Sequence, residues 1–163
     1  MRYVTVDELV YINQQVMTGE AIHSIVEGKR AVRDMGLLEA AVARPMASAF
    51  GEDAYPTLGE KVAVMLHAVA RNHPFADGNK RAATVAALFM LAVNGQRVTW
   101  DAHEALRWIV DVAEGKRSAE SFAAWLPTQE SESAPEPDAE RDTRLIAQLM
   151  DEQAWLLAEL AGR

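Results

Sequence analysis

The chain contains no cysteine, which excludes a disulfide framework and any thiolate-ligated metal centre. No apolar run approaches the ~20 residues that span a bilayer, and the first residues, MRYVTVDEL, lack the apolar core of a secretory signal. No membrane association is expected, and a reducing cytoplasm is the expected location. Histidine is scarce. His23, His67, His73 and His103 share no His-x-x-x-His spacing, so zinc is not expected. Basic residues are outnumbered, 16 against 24 acidic, for a net charge of −8; this argues against a general nucleic-acid binder. The deficit is uneven. Residues 1–127 hold 13 basic and 15 acidic residues, whereas 128–163 hold 3 and 9. The acidity thus belongs mostly to an appendage. No internal repeat occurs, and no alternating strand pattern runs beyond a few residues.

What is present is helical periodicity on a chain that is 50% apolar, enough for the core of one domain. Thr5 and Glu8 have capping-box spacing ahead of Leu9, Val10, Ile12, Val16 and Met17. Residues 18–33 read as a long loop. Asp34 is placed to cap a helix running to about Arg44 and stopped by Pro45. Thr57 and Glu60 make a second capping box, opening a helix that carries Val62, Met65, Leu66 and Val69. A central helix is expected over about 79–93, ended by Asn94-Gly95. Its residues are apolar nearly all round, which predicts burial in the middle of a bundle. Thr99 is expected to start a further helix ending near Gly115, and Ser118 a short one ending before Pro127. Residues 128–140 (TQESESAPEPDAE) have the composition of an acidic flexible linker. An amphipathic helix follows over about 141–161, with Leu145, Ile146, Leu149, Met150, Leu156, Leu157 and Leu160 on one broad face and Trp155 at its margin. The expected division is a catalytic domain over 1–127, the linker over 128–140 and the C-terminal amphipathic helix within 141–163.

The chemistry concentrates in HPFADGNKR, residues 73–81, immediately before the central helix. A helix start offers unpaired N–H groups and the positive end of a dipole, and so attracts anions. Gly78 permits close backbone approach. Lys80 and Arg81 crowd cations onto a terminus whose dipole disfavours them, by a few tenths of a kcal/mol, which hints that an anion occupies the site. Asp77 can hold Mg²⁺ beside phosphates or can cap the helix. His73 has the intrinsic pKa of a general base near neutrality, although a lone histidine is more often structural. His67, in an apolar helix with no motif around it, reads as packing, and Phe75 as a core anchor.

HPFADGNKR resembles the signature of the Fic/Doc family, His-x-Phe-x-Asp/Glu-Gly-Asn-x-Arg. Six specified positions would match by chance in on the order of one unrelated chain in a million. The Fic branch carries a second arginine where this chain has Thr84, and usually a glycine where it has Lys80; Asn-Lys-Arg is similar to the Doc (death-on-curing) toxins. RDMGLLEAAVARP (33–45), YPTLGEKVAVMLHAVARNHPF (55–75) and LAVNG (91–95) extend the resemblance, which covers about residues 3–126. It implies an all-α Fic/Doc-like bundle around a buried central helix. It implies a toxin that transfers the γ-phosphate of ATP, with Mg²⁺, to a protein Ser/Thr hydroxyl, the implied target being elongation factor Tu. His73 would then be the base and Asp77 the Mg²⁺ ligand. Gly78, Asn79 and Lys80 would line the anion site, and Arg81 would bind phosphate and neutralise developing charge. Residues 18–33 would be a flap over the target chain. Alternatives are AMP transfer as in the Fic branch, phosphoryl transfer to a small molecule, or a catalytically silent binding protein. The family's toxins are neutralised by an antitoxin whose C-terminal segment folds as a helix on the toxin. The helix at 141–161 could take that role, pack on its own core, or mediate oligomers.

Overall fold

A computed structural model describes residues 1–18 and 31–163. The flap expected over 18–33 therefore lies, for 19–30, outside the described residues. The described chain is helical, with two small antiparallel strand pairs, the first between β1 (Ser48–Ala49) and β2 (Glu52–Asp53). Local chemistry sets most helix starts. Thr5, Asp34, Thr57, Asp101, Ser118 and Asp138 each accept an N–H of the first turn. They open α1 (Val6–Val16), α2 (Met35–Ala43), α3 (Leu58–Asn72), α5 (Ala102–Ala113), α6 (Ala119–Trp125) and α7 (Ala139–Glu152). The full capping box forms at Thr5–Glu8. At Thr57 only the bond from the Glu60 N–H forms.

Between α3 and α5 lies α4 (Asn79–Val93), the helix expected to be central. Every residue from Arg81 to Val93 is buried, and α4 packs against α1, α3, α5, α7 and α8 (Ala154–Ala161). Its alanines let neighbouring helices come close. A helix held on all sides is a stiff support for the loop at its N-terminus.

Three expectations need correction. The helix expected from Thr99 begins at Ala102 with Asp101 as cap. The Thr99 N–H is instead bonded to the Pro127 carbonyl, at the end of a strand pair in which β3 (Gln96–Val98) meets β4 (Thr128–Glu130). Second, that pairing takes the first three residues of the stretch read as a flexible linker. Further along it, Ser131 donates to the Gly95 carbonyl and Ala134 to Val93. Third, the amphipathic helix starts at Ala139 and is interrupted at Gln153, whose side-chain oxygen accepts from the Trp100 indole at 3.2 Å. The break lets Ile146 and Leu149 of α7, and Leu156, Leu157 and Leu160 of α8, all reach the core. Trp155 stays at the margin and lies tilted against His103, ring centres 4.2 Å apart and planes at 34°.

Arg2 holds this appendage at its root. Its guanidinium spans both Asp142 oxygens, at 2.6 and 3.4 Å, and also bonds Glu8 and the Ala134 carbonyl.

Candidate active site

Helix α3 ends at Asn72, and His73 turns the chain in the left-handed conformation, φ 55° and ψ 60°. The chain then crosses the mouth of the bundle and enters α4 through Gly78, again left-handed at φ 75°. Asn79 clamps this crossing. Its side-chain oxygen accepts the Phe75 N–H and its amide donates to the Phe75 carbonyl, both at 3.0 Å. The same amide lies 3.5 Å from Nδ1 of His73. Phe75 is buried in the core beneath.

The N-terminus of α4 differs from those of α1 to α3 and α5 to α7: no side chain caps it. The sequence allowed Asp77 to be the cap, but Gly78 holds that position and the Asp77 carboxylate accepts the Gly78 N–H at 2.7 Å. The amides of Asn79 and Lys80, which lead α4, are thus left without a side-chain acceptor, in the arrangement that receives phosphate oxygens in other helix-start sites. His73 and Asp77 are both exposed beside it. Among the described residues, no group of three or more His, Cys, Asp or Glu could hold a metal ion by itself. A single carboxylate next to an uncapped helix start fits Mg²⁺, which takes one or two protein carboxylates and completes its shell with phosphate and water.

The predicted residues do not all converge. Gly78 is needed for more than close approach to a ligand. A Cβ there would meet the Met17 sulfur at 2.8 Å and the Asn13 amide at 3.2 Å, so α1 presses directly on the loop. Arg81 is buried, and donates to the Val16 carbonyl at 3.0 Å and to the Met17 sulfur at 3.3 Å. The cation unfavourable at the start of α4 therefore also faces the carbonyl end of α1, where a positive charge is favoured. Lys80 points elsewhere: its ammonium bonds the backbone carbonyl of Arg163. Thr84 is fully buried and its hydroxyl bonds back to the Lys80 carbonyl at 2.7 Å. Arg71, also near the motif in sequence, donates to the Ala113 carbonyl at the end of α5. His67 is half-buried in α3. Burial, and then the charges of Arg44 and Arg71, hold its imidazole below the ordinary pKa, as suits a packing histidine.

Two residues with clear roles lie outside HPFADGNKR. Asn13 lies on the buried face of α1 and donates to the Asp77 carbonyl at 3.0 Å, bracing the loop from below. Its one trace in the sequence is a polar residue one turn after Leu9, on an otherwise apolar stripe. Arg33, whose part the sequence does not reveal, donates to the backbone carbonyls of His73 and Asn72.

The family model described as Fic/DOC family matches residues 3–91. A protein named Toxin Doc, from Mycolicibacterium smegmatis, is 53% identical over 74 residues, which make up 45% of this chain and 57% of that protein. The match thus spans little more than half of that relative's length. Protein kinase doc of Escherichia phage P1 is 34% identical over 126 residues, 77% of this chain and 94% of that protein.

Proposed function

The chain belongs to the Fic/DOC family, and on that premise we propose that it is a Doc-like toxin which transfers the γ-phosphate of ATP to a Ser or Thr hydroxyl of a target protein. The observation that carries this reading is the uncapped start of a rigid, buried helix with an exposed imidazole and an exposed carboxylate beside it. ATP supplies the phosphoryl group, and Mg²⁺, held through Asp77, offsets its charge. The chain's own part is positioning and electrostatics, which dominate catalysis of phosphoryl transfer. His73 takes the proton from the target hydroxyl. The backbone N–H groups of Asn79 and Lys80 receive phosphate oxygens. Arg81 adds positive charge, leaving the Val16 carbonyl to do so. Lys80 turns from the Arg163 carbonyl to the phosphates.

Transfer of the γ-phosphate, as opposed to AMP, is supported by Thr84. Its side chain is occupied with its own helix, so position 84 offers no second cation beside Arg81. The name of the phage relative points the same way. By analogy with the family's toxins, the target is elongation factor Tu, and an antitoxin partner or the chain's own C-terminal helices restrain the toxin in the cytoplasm. The deciding experiment incubates the protein and a cell lysate with ATP labelled on the α- or the γ-phosphate. Label arriving on protein from the γ position is expected. Label from α would mean AMP transfer, and label from neither would favour a binding protein. Recovery of the label on elongation factor Tu would identify the acceptor.

The anion site has its own test. Lys80→Ala should weaken ATP–Mg²⁺ binding by roughly tenfold at low salt, since a charge-assisted hydrogen bond is lost. The deficit should shrink as salt rises. Calorimetric titration measures it, and an unchanged affinity would remove Lys80 from the site.

A further inference from the structure

We infer that Arg33 is a positioning residue that locks the backbone of His73. This rests on the reading of His73 as the base and adds the device that aims it. The guanidinium donates through Nε to the His73 carbonyl at 2.7 Å and through an Nη to the Asn72 carbonyl at 2.9 Å. These two carbonyls belong to the two peptide planes that flank the His73 Cα, so one planar group holds both the φ and the ψ of that residue. His73 needs such a hold. Its left-handed conformation is sparsely populated for a non-glycine residue and persists only where the surroundings impose it. The imidazole itself is exposed, and its contact with the Asn79 amide is long at 3.5 Å. The direction of the ring is therefore governed mainly by the backbone that carries it.

The lock is itself anchored. The N–H groups of Arg33 and Asp34 both donate to the Pro74 carbonyl, and Ala76 donates to the Ala31 carbonyl. Asp34 caps α2. Arg33 thus leaves a short strap pinned against the 73–76 crossing at both of its ends, and its position does not depend on its own side chain. The two accepted carbonyls are also the orphaned groups at the end of α3, where a cation is favoured by the helix dipole. The rigid fork of arginine can serve two adjacent acceptors at fixed spacing; the point charge of lysine serves one at a time.

The test uses the full chain, with lysate protein as acceptor and γ-labelled ATP as donor, in Arg33→Ala and Arg33→Lys. Because the backbone strap remains, both variants should fold with little change in melting temperature. Arg33→Ala should lower kcat by roughly 10- to 100-fold, the range for misplacing a catalytic group by about 1 Å, with KM for ATP unchanged. Arg33→Lys should recover part of the loss. Histidine-labelled NMR gives a readout independent of activity: the His73 ring signal, assigned by its loss in His73→Ala, should shift in Arg33→Ala while that of His103 stays. An unmoved His73 signal, or a general shift of all histidines with a lowered melting temperature, overturns the lock. If His73→Ala keeps full activity, the base assignment fails, and the His73 ring signal still decides whether Arg33 holds that residue.

Discussion

His73→Ala should lower transfer by about 100-fold or more while leaving ATP–Mg²⁺ affinity nearly intact. General-base catalysis supplies roughly 10²–10⁴ in rate, and the imidazole is the group proposed to supply it. Affinity should survive because the features proposed to bind phosphate lie elsewhere: the uncapped amides of α4, Asp77, Lys80 and Arg81. The ring also does little for the fold. It is exposed, and its contact with the Asn79 amide is long. Asn79 keeps its two 3.0 Å bonds to Phe75 without it. The comparison to make is single-turnover transfer from γ-labelled ATP beside a calorimetric titration of the same preparation. A variant that transfers at the wild-type rate would take the base role away from His73. Equal loss of rate and affinity would show that the ring mainly binds nucleotide.

The parts of this molecule that sequence reveals are those set by neighbours along the chain. The caps at Thr5, Asp34, Ser118 and the stop at Asn94-Gly95 depend on groups within four residues of one another, so composition and spacing locate them. The burial of α4 follows from a stretch with no polar face to turn outward. What escapes is set by groups far apart. The start of α5 moves from Thr99 to Asp101 because Pro127, 28 residues on, takes the Thr99 N–H. Residues 128–140 have the composition of a free tether, yet their backbone finds partners on Gly95 and Val93, and composition says nothing of that. The C-terminal helix breaks where the Trp100 indole meets Gln153. In the site the division is the same. The motif names His73, Asp77 and Gly78, whereas Asn13 and Arg33 act on backbone carbonyls 64 and 39 to 40 positions away. A side chain that reads a carbonyl leaves no demand on the identity of its partner, so even Arg33, which lies in a stretch that carries the family resemblance, does not reveal its part in the sequence.

Truncation after Pro127 should abolish the folded state. Of the roles open to the C-terminal segment, the structure gives it packing on its own core: Ile146, Leu149, Leu156, Leu157 and Leu160 are all buried. Each is worth roughly 1.5–3 kcal/mol, and together they rival the whole stability of a small domain, about 5–15 kcal/mol. The cut also removes β4 and leaves the buried Arg2 guanidinium without Asp142 and the Ala134 carbonyl. A buried ion pair broken from one side costs about 3–5 kcal/mol. The milder change Asp142→Ala isolates that second loss and should lower the melting temperature while leaving the apolar face in place. Acid should act on the same joint. Burial alone would raise the Asp142 pKa, but hydrogen bonds from Arg2, the Asp138 N–H and Arg141 outweigh it and hold the carboxyl below its ordinary value. The contribution of the pair is therefore complete above the ordinary carboxylate range and disappears as pH falls through the lower, folded value. Circular dichroism and thermal unfolding of the truncated chain, and of Asp142→Ala across an acid series, measure both. A truncated chain that melts like the whole protein would show that α7 and α8 cover the core without supporting it. An Asp142→Ala variant with unchanged acid sensitivity would place the pH-dependent joint elsewhere.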